Sequence, residues 1–399
     1  MTDDAGVPQV AQDEALAEPF LVDVLSSLVR TRSVNPGVFE AEMATAVAEW
    51  LEPTGAKVTF VESLPGRHSV GAVLTGSGDG PRLVLNGHMD TVPIDDESLW
   101  ETPPFEPTLK DDGFLYGRGS CDMKAGLTTQ IVTAFHLAKH RQRLKGTLVL
   151  HFAVGEECAE PGTLSLLEAG FGGDYGITTE PTDLRVATAQ RGLAFYAVRI
   201  RGESIHASRA HLVVNPNAFL PHVIGAIQEY EAEIATREHA LCPGGSCTPT
   251  IIRGGVKENA VPDYTEVTVD RRLIPGETVD GELRALEARL ANIRADNPDF
   301  DFEIRRWERA FEPAEIDKGS TFARQVADTV ADVTGAPCEI YGTPYSSDVR
   351  NLVNDAGIEA ITFGAGNVAE CHCANERLSV EQLRHAAVAT ARVARDLLL

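Results

Sequence analysis

Four apolar runs of this chain end in histidine or carboxylate, and that repeated ending restricts the fold more than any other feature. L-V-L-N-G runs into His88-Met89-Asp90, T-L-V-L-H-F-A-V-G into Glu156-Glu157, Y-G-I-T-T into Glu180, and I-T-F-G-A-G precedes Cys371-His372-Cys373. Short apolar runs of this kind fill a central sheet, and open α/β sheets present their ligands beyond the carboxyl ends of their strands. The runs at Arg82–Asn86, Gly146–Val154 and Ile358–Phe363 are therefore expected to be inner strands. Helical spacing of apolar residues predicts helices over Phe20–Val29, Glu40–Leu51 and Met123–His140, the first two separated by the turn-forming T-R-S-V-N-P-G.

The middle of the chain has a different rhythm. Strand at Leu193–Ile200, helix at Asn217–Thr236, strands at Thr248–Arg253 and Thr265–Leu273, helix at Val279–Ala295 and strand at Phe300–Arg305 give the order βαββαβ, the ferredoxin-like pattern. The expected fold class is α/β: a catalytic domain with a mixed central sheet flanked by helices, plus this inserted ferredoxin-like lid or dimerisation domain. The expected boundaries are 1–187 and 308–399 for the two parts of the catalytic domain and 188–307 for the insertion.

Composition excludes several function classes. With 59 acidic against 35 basic residues the formal charge is -24, a field that repels nucleic acid and anionic membranes. No stretch reaches the ~20 apolar residues that span a bilayer. The acidic start M-T-D-D-A-G-V-P-Q lacks the basic and apolar segments of a secretory signal, so a cytoplasmic protein is expected. Seven scattered cysteines fit free thiols in a reducing compartment rather than a disulfide framework.

Each polar ending also has a bland reading. His88 and Asp90 share a face if the backbone is extended, which suits a metal-bound imidazole oriented by a carboxylate. Asp122, in G-R-G-S-C-D-M-K-A-G, is either a helix N-cap or a ligand brought close to a cation by the glycines. Glu156 and Glu157 are either an exposed acidic turn or a ligand beside a base, since adjacent carboxylates repel unless a cation offsets them. Histidine with carboxylates favours zinc, cobalt or manganese over calcium or magnesium. The C-H-C at 371–373 raises a rival thiolate zinc site, but no C-x-x-C partner exists and an extended backbone would turn both cysteines away from His372.

Taken together, G-H-M-D-T-V-P, W-E-T-P-P-F-E-P, L-Y-G-R-G-S-C-D-M-K-A-G, G-E-E, T-E-P-T and C-H-C-A-N-E resemble the metallopeptidase family of acetylornithine deacetylase, succinyl-diaminopimelate desuccinylase, aminoacylase-1 and glutamate carboxypeptidases. The resemblance implies two divalent cations, zinc or cobalt, one held by His88 and Glu180, the other by Glu157 and His372, with Asp122 bridging. It implies Glu156 as general base toward a water shared by the cations and Asp90 as the residue that orients His88. In the insertion it implies that His206 helps to stabilise the oxyanion, often across a homodimer, that Asn259 contacts substrate, and that Arg272 clamps a substrate carboxylate. Arg271 points to the opposite strand face, and a surface ion pair is the competing reading for either arginine. S-S-D-V-R and F-G-A-G-N resemble loops of the substrate-carboxylate pocket, with Gly364 and Gly366 allowing close backbone approach.

The function these residues point to is removal of an acyl group from an N-acyl amino acid, in amino-acid biosynthesis or a similar pathway. Alternatives are a dipeptidase or glutamate-type carboxypeptidase, an acyl-removing or amide-forming enzyme of a specialised biosynthetic pathway, and a binding homologue without hydrolysis. Cys121, Cys158, Cys371 and Cys373 adjoin the expected ligands, so oxidants are expected to inactivate the protein.

Overall fold

The computed structural model describes residues 13–399, and the acidic leader read at 1–12 lies outside the described residues. In chain order the elements that matter begin with α1 (Glu18–Arg30), α2 (Ala41–Leu51), β1 (Lys57–Leu64), β2 (Arg67–Thr75), β3 (Arg82–His88) and α3 (Lys124–Ala138). They continue with β4 (Thr147–Ala153), α4 (Gly162–Glu168), β5 (Tyr175–Thr178), β6 (Gly192–Arg201), α5 (Leu220–Ile234), β7 (Ser246–Gly254) and β8 (Tyr264–Leu273). The last are α6 (Val279–Asp296), β9 (Phe302–Phe311), α7 (Thr321–Thr334), β10 (Glu359–Thr362) and α8 (Val380–Leu398). Two compact units result, one running to Thr188 and resuming at Glu315–Tyr341 and Ser347–Leu399, the other comprising Ala189–Ala314 with Gly342–Ser346.

In the first unit the sheet follows the path β1-β2-β4-β3-β5-β10. β3 is parallel to both β4 and β5, and β10 is parallel to β5, so the four runs singled out in the sequence lie side by side with their carboxyl ends on one edge. Register aligns those ends: His88 pairs with Ala153, Asn86 with Thr178, and Thr178 with Thr362. Alternation along the strands feeds two cores. Leu83, Leu85, Leu148 and Leu150 enter the larger cluster beneath α1, α3, α7 and α8, whereas Val84 and Val149 enter a smaller one that includes Leu166 of α4. The hairpin β1–β2, with β2 antiparallel to β4, makes the sheet mixed. Its first strand is only half covered and carries no strong apolar run, which is why the sequence gives no strand there.

Two close approaches fix the backbone before Glu180. A Cβ on Gly126 of α3 would lie 2.2 Å from the Thr179 carbonyl oxygen, and one on Gly364, just after β10, would lie 2.5 Å from the Glu180 carbonyl oxygen and 2.8 Å from that of Thr179. Only glycine lets α3 and the post-β10 segment seat on this stretch from both sides. Thr179 is further held by its N–H and hydroxyl, both donated to the Asn86 carbonyl at 2.9 and 3.1 Å.

The second unit contains an antiparallel sheet of order β7-β8-β6-β9. Its strand and helix order is the one read from the sequence, with β9 running farther than expected because an irregularity between Arg306 and Ala310 lets pairing to β6 resume. Tyr196, Val198 and Val267 pack with Val223, Ile227 and Tyr230 of α5 and with Leu286 and Leu290 of α6 in a core of its own. Arg271 is buried within it, donating to Glu277 at 2.7 Å and Glu282 at 2.6 Å. No described helix is long and apolar enough to cross a membrane.

Substituting Gly126→Ala should cost about 1–3 kcal/mol by overpacking and should also weaken cation binding, because the displaced carbonyl belongs to the residue before Glu180. Urea unfolding together with metal titration checks both; an unchanged metal affinity would detach this packing from the site.

Candidate metal centre

At the carboxyl edge of the sheet, His88 ends β3 with its ring held by a contact of Nδ1 with the Asp90 backbone carbonyl at 3.0 Å. Its Nε2 faces Asp122 Oδ1 at 3.3 Å and Glu180 Oε1 at 3.6 Å. His372 mirrors this arrangement: its Nε2 faces Asp122 Oδ2 at 3.2 Å and Glu157 Oε1 at 3.1 Å. Asp122 therefore divides its two oxygens between two histidines. Ligand atoms of His88, Asp122 and Glu157 all lie within 4.8 Å of one another.

These separations test whether cations fit. Four ligands at the usual zinc bond lengths of about 2.0–2.1 Å form a tetrahedron with edges of about 3.3 Å. The observed edges of 3.1–3.6 Å match that figure on both sides of Asp122. The donors are imidazole nitrogens and carboxylate oxygens, the set that suits zinc-like cations. Asp122 is no helix cap: α3 begins after Met123 and has no side-chain cap.

Both the backbone and the carboxylate of Asp90 reach the His88 ring. The backbone carbonyl makes the closer contact with the ring, and the carboxylate lies 3.4 Å from Nδ1. Its oxygens also accept the N–H groups of Glu156 at 3.1 Å and Glu157 at 3.2 Å. A left-handed Gly155 (φ 77°) makes the turn that presents those two N–H groups. Asn35, which sequence reasoning passed over as part of a turn, donates to Asp90 at 3.0 Å and to Glu160 at 3.0 Å. Its only sequence signal was its place in the N-P-G turn.

The C-H-C segment is not extended, because His372 has a left-handed backbone with φ 58°. Cys371 Sγ lies 3.5 Å from Cys121 Sγ, and Cys373 Sγ turns to the Glu370 carbonyl at 3.3 Å. The converging donor group found among the described residues contains no thiol, which disfavours the rival thiolate site. None of the seven cysteines forms a disulfide. Gly364 serves the packing against Glu180 given above. S-S-D-V-R is buried from Ser347 onward: Asp348 accepts from the Thr163 hydroxyl at 2.6 Å, and Arg350 donates to the Ser347 carbonyl at 2.9 Å.

His206, Asn259 and Arg272 belong to the second unit. His206 is exposed, and its Nδ1 accepts the Ser208 N–H at 3.2 Å. That places the proton of the neutral ring on Nε2, leaving an outward N–H donor. The backbone carbonyl of exposed Asn259 accepts the Ala207 N–H at 2.9 Å, tying it to the segment after His206. Arg272 is gripped by Asp270 at 2.8 and 3.1 Å and remains partly exposed.

Electrostatics sharpen the picture. Burial raises Glu156 to about 8, with the charges of Asp348 and Glu157 adding to it while His88 and Arg350 oppose. Burial also raises Glu157 and, strongly, Glu180, with the Asp122 charge reinforcing both. Asp122 goes the other way: burial works against ionisation, but hydrogen bonds from His372 and His88 hold it well below the usual carboxylate range. Hydrogen bonds to Asp122 and Glu157 raise His372 to about 11. Protons thus occupy positions where cations would balance the same carboxylates.

Comparison with known proteins agrees with this geometry. The profile described as Peptidase family M20/M25/M40 matches residues 84–396. An N-formyl-4-amino-5-aminomethyl-2-methylpyrimidine deformylase of Halalkalibacterium halodurans is 27% identical over 397 residues, covering 90% of this chain and 91% of that protein. An acetylornithine deacetylase of Myxococcus xanthus is 30% identical over 379 residues, covering 92% and 94%. A dinuclear metal-binding peptidase of the M20 family from Bacillus subtilis superposes with a TM-score of 0.73 at 21% identity, covering 97% of this chain and 99% of that one.

A group that binds protons more tightly folded than unfolded loses its contribution to stability as pH rises through its folded pKa. Glu156 does so between 4.5 and about 8, and His372 between 6.5 and about 11. Chelator-treated protein should therefore melt at progressively lower temperature from about pH 6 to about pH 9, and saturating zinc should remove the decline because it replaces those protons. Calorimetric scans across that range check it; a flat profile in chelator would contradict the assigned proton positions.

Proposed function

Because the chain belongs to peptidase family M20/M25/M40 and is a metallohydrolase acting on amide bonds, we propose that it removes the acyl group from an N-acyl amino acid. The observation that carries the reading is Asp122 shared between two histidine-carboxylate sets, with Glu156 beside them. His88 and Glu180 would hold one zinc or cobalt ion and Glu157 and His372 the other, with Asp122 placed to serve both. When bound, the pair supplies polarisation of the scissile carbonyl and acidification of a shared water.

Glu156 then takes a proton from the attacking water and returns it to the leaving nitrogen, a task suited to a carboxylate that burial has made more basic. Asp90 keeps that carboxylate in place through the Glu156 N–H. The second unit acts as lid and dimerisation domain: His206 offers Nε2–H to the developing oxyanion, Asn259 contacts substrate, and Arg272, oriented by Asp270, clamps a carboxylate. Support for dimerisation comes from the edge strand β7, where Ile251 and Ile252 are exposed. The cytoplasm would keep the seven thiols reduced.

A dipeptidase uses the same residues and differs on the acyl side. The relatives favour deacylation, since the deformylase and the deacetylase are both named for removing a small acyl group. Acetylated, formylated and succinylated amino acids should turn over in the presence of zinc or cobalt, stop with chelator, and outpace dipeptides; the reverse preference would sink the deacylase reading. Glu156→Gln should keep cation content while kcat falls about 10²–10⁴-fold, measured by metal analysis and steady-state kinetics on one preparation.

A further inference from the structure

Glu376 closes the C-H-C-A-N-E motif four residues after His372, and its side chain is fully buried. Four donors converge on its carboxylate. Oε2 accepts from Arg118 Nη1 at 2.7 Å and the Gly119 N–H at 2.9 Å. Oε1 accepts the N–H groups of Cys121 at 2.9 Å and Asp122 at 3.0 Å. Its own carbonyl accepts the Gly117 N–H at 2.9 Å. The whole G-R-G-S-C-D turn is thus wrapped around one carboxylate, with Gly119 in a left-handed conformation (φ 82°) that permits the wrap.

The two ends of this arrangement are both parts of the metal centre. The turn finishes at Asp122, whose oxygens face His88 and His372, and the segment that supplies Glu376 also supplies His372. A third contact, Cys121 Sγ to Cys371 Sγ at 3.5 Å, joins the same two segments. We propose that Glu376 is a positioning residue for the metal centre: it sets Asp122 against His372, and so makes the bridging carboxylate fit two cations. It is not a catalytic residue, because its oxygens are occupied by the turn. The inference rests on the two-cation reading of the site.

Two variants test it. Glu376→Gln keeps size but puts an NH2 group against donors, so one pair of them loses its acceptor. Glu376→Asp keeps charge but draws the carboxylate back by one methylene, beyond reach of all four donors together. In each, binding of the second equivalent of cobalt, followed by calorimetry and by its absorption spectrum, should weaken about 10–100-fold. Over the same series kcat should fall by at least about tenfold while KM stays within about threefold.

Folded variants that bind both cations with parental affinity and keep parental kcat would overturn the proposal. So would failure of both variants to fold even with saturating zinc, which would make Glu376 a scaffold residue only. A parent protein that binds fewer than two cations would instead overturn the two-cation reading, whatever the variants do.

Discussion

The structure is organised by the need to hold five acidic side chains together at one buried edge. Asp90, Asp122, Glu156, Glu157 and Glu180 gather around His88 and His372, and every one of the five is mostly shielded from water. Isolated buried carboxylates would be prohibitive, so each must find a donor, a proton or a cation. Asp90 is satisfied by two main-chain N–H groups and Asn35, and Asp122 by two imidazoles. Burial raises the proton affinity of Glu156, Glu157 and Glu180, and a pair of divalent cations would compete for the same oxygens.

The scaffold serves that edge by stiffness. Parallel pairing of β3 with β4 and β5 fixes where His88, Glu156 and Glu180 leave the sheet. Gly126 and Gly364 then clamp the Thr179–Glu180 backbone from two sides. Asp122 and His372 come from loops, which are ordinarily the mobile parts of such a fold. They are tied instead to each other through the buried Glu376 and to β3 through His88, so precision at the loops is obtained by hydrogen bonding where the sheet does not reach.

Much of this was legible because strand ends advertise themselves: an apolar run followed by histidine or carboxylate states both an element and a direction. The βαββαβ order of the second unit was legible for the same reason, with alternation switching between periods of two and 3.6. What escaped was anything that depends on a partner distant in sequence. Asn35 looked like a turn residue, yet its amide reaches Asp90, and Glu376 looked like the tail of a motif. Asp90 was placed correctly beside His88, but the N–H groups that claim its carboxylate lie 66 and 67 residues away. The extended backbone assumed at 371–373 failed because His372 is left-handed, a conformation uncommon outside glycine and only weakly signalled by a histidine.

The proposed roles divide between the two units. The proposed ligands and base all belong to the first unit, while His206, Asn259 and Arg272 belong to the second. A pyrimidine deformylase and an acetylornithine deacetylase align with most of this chain although the molecules named differ in everything but an acylated nitrogen. That is the outcome expected when the carbonyl chemistry is fixed by one rigid edge and the rest of the substrate is read by side chains held elsewhere. On the proposed roles, a change at His206, Asn259 or Arg272 would alter which acylated amine is accepted and leave the carboxylates of the first unit undisturbed.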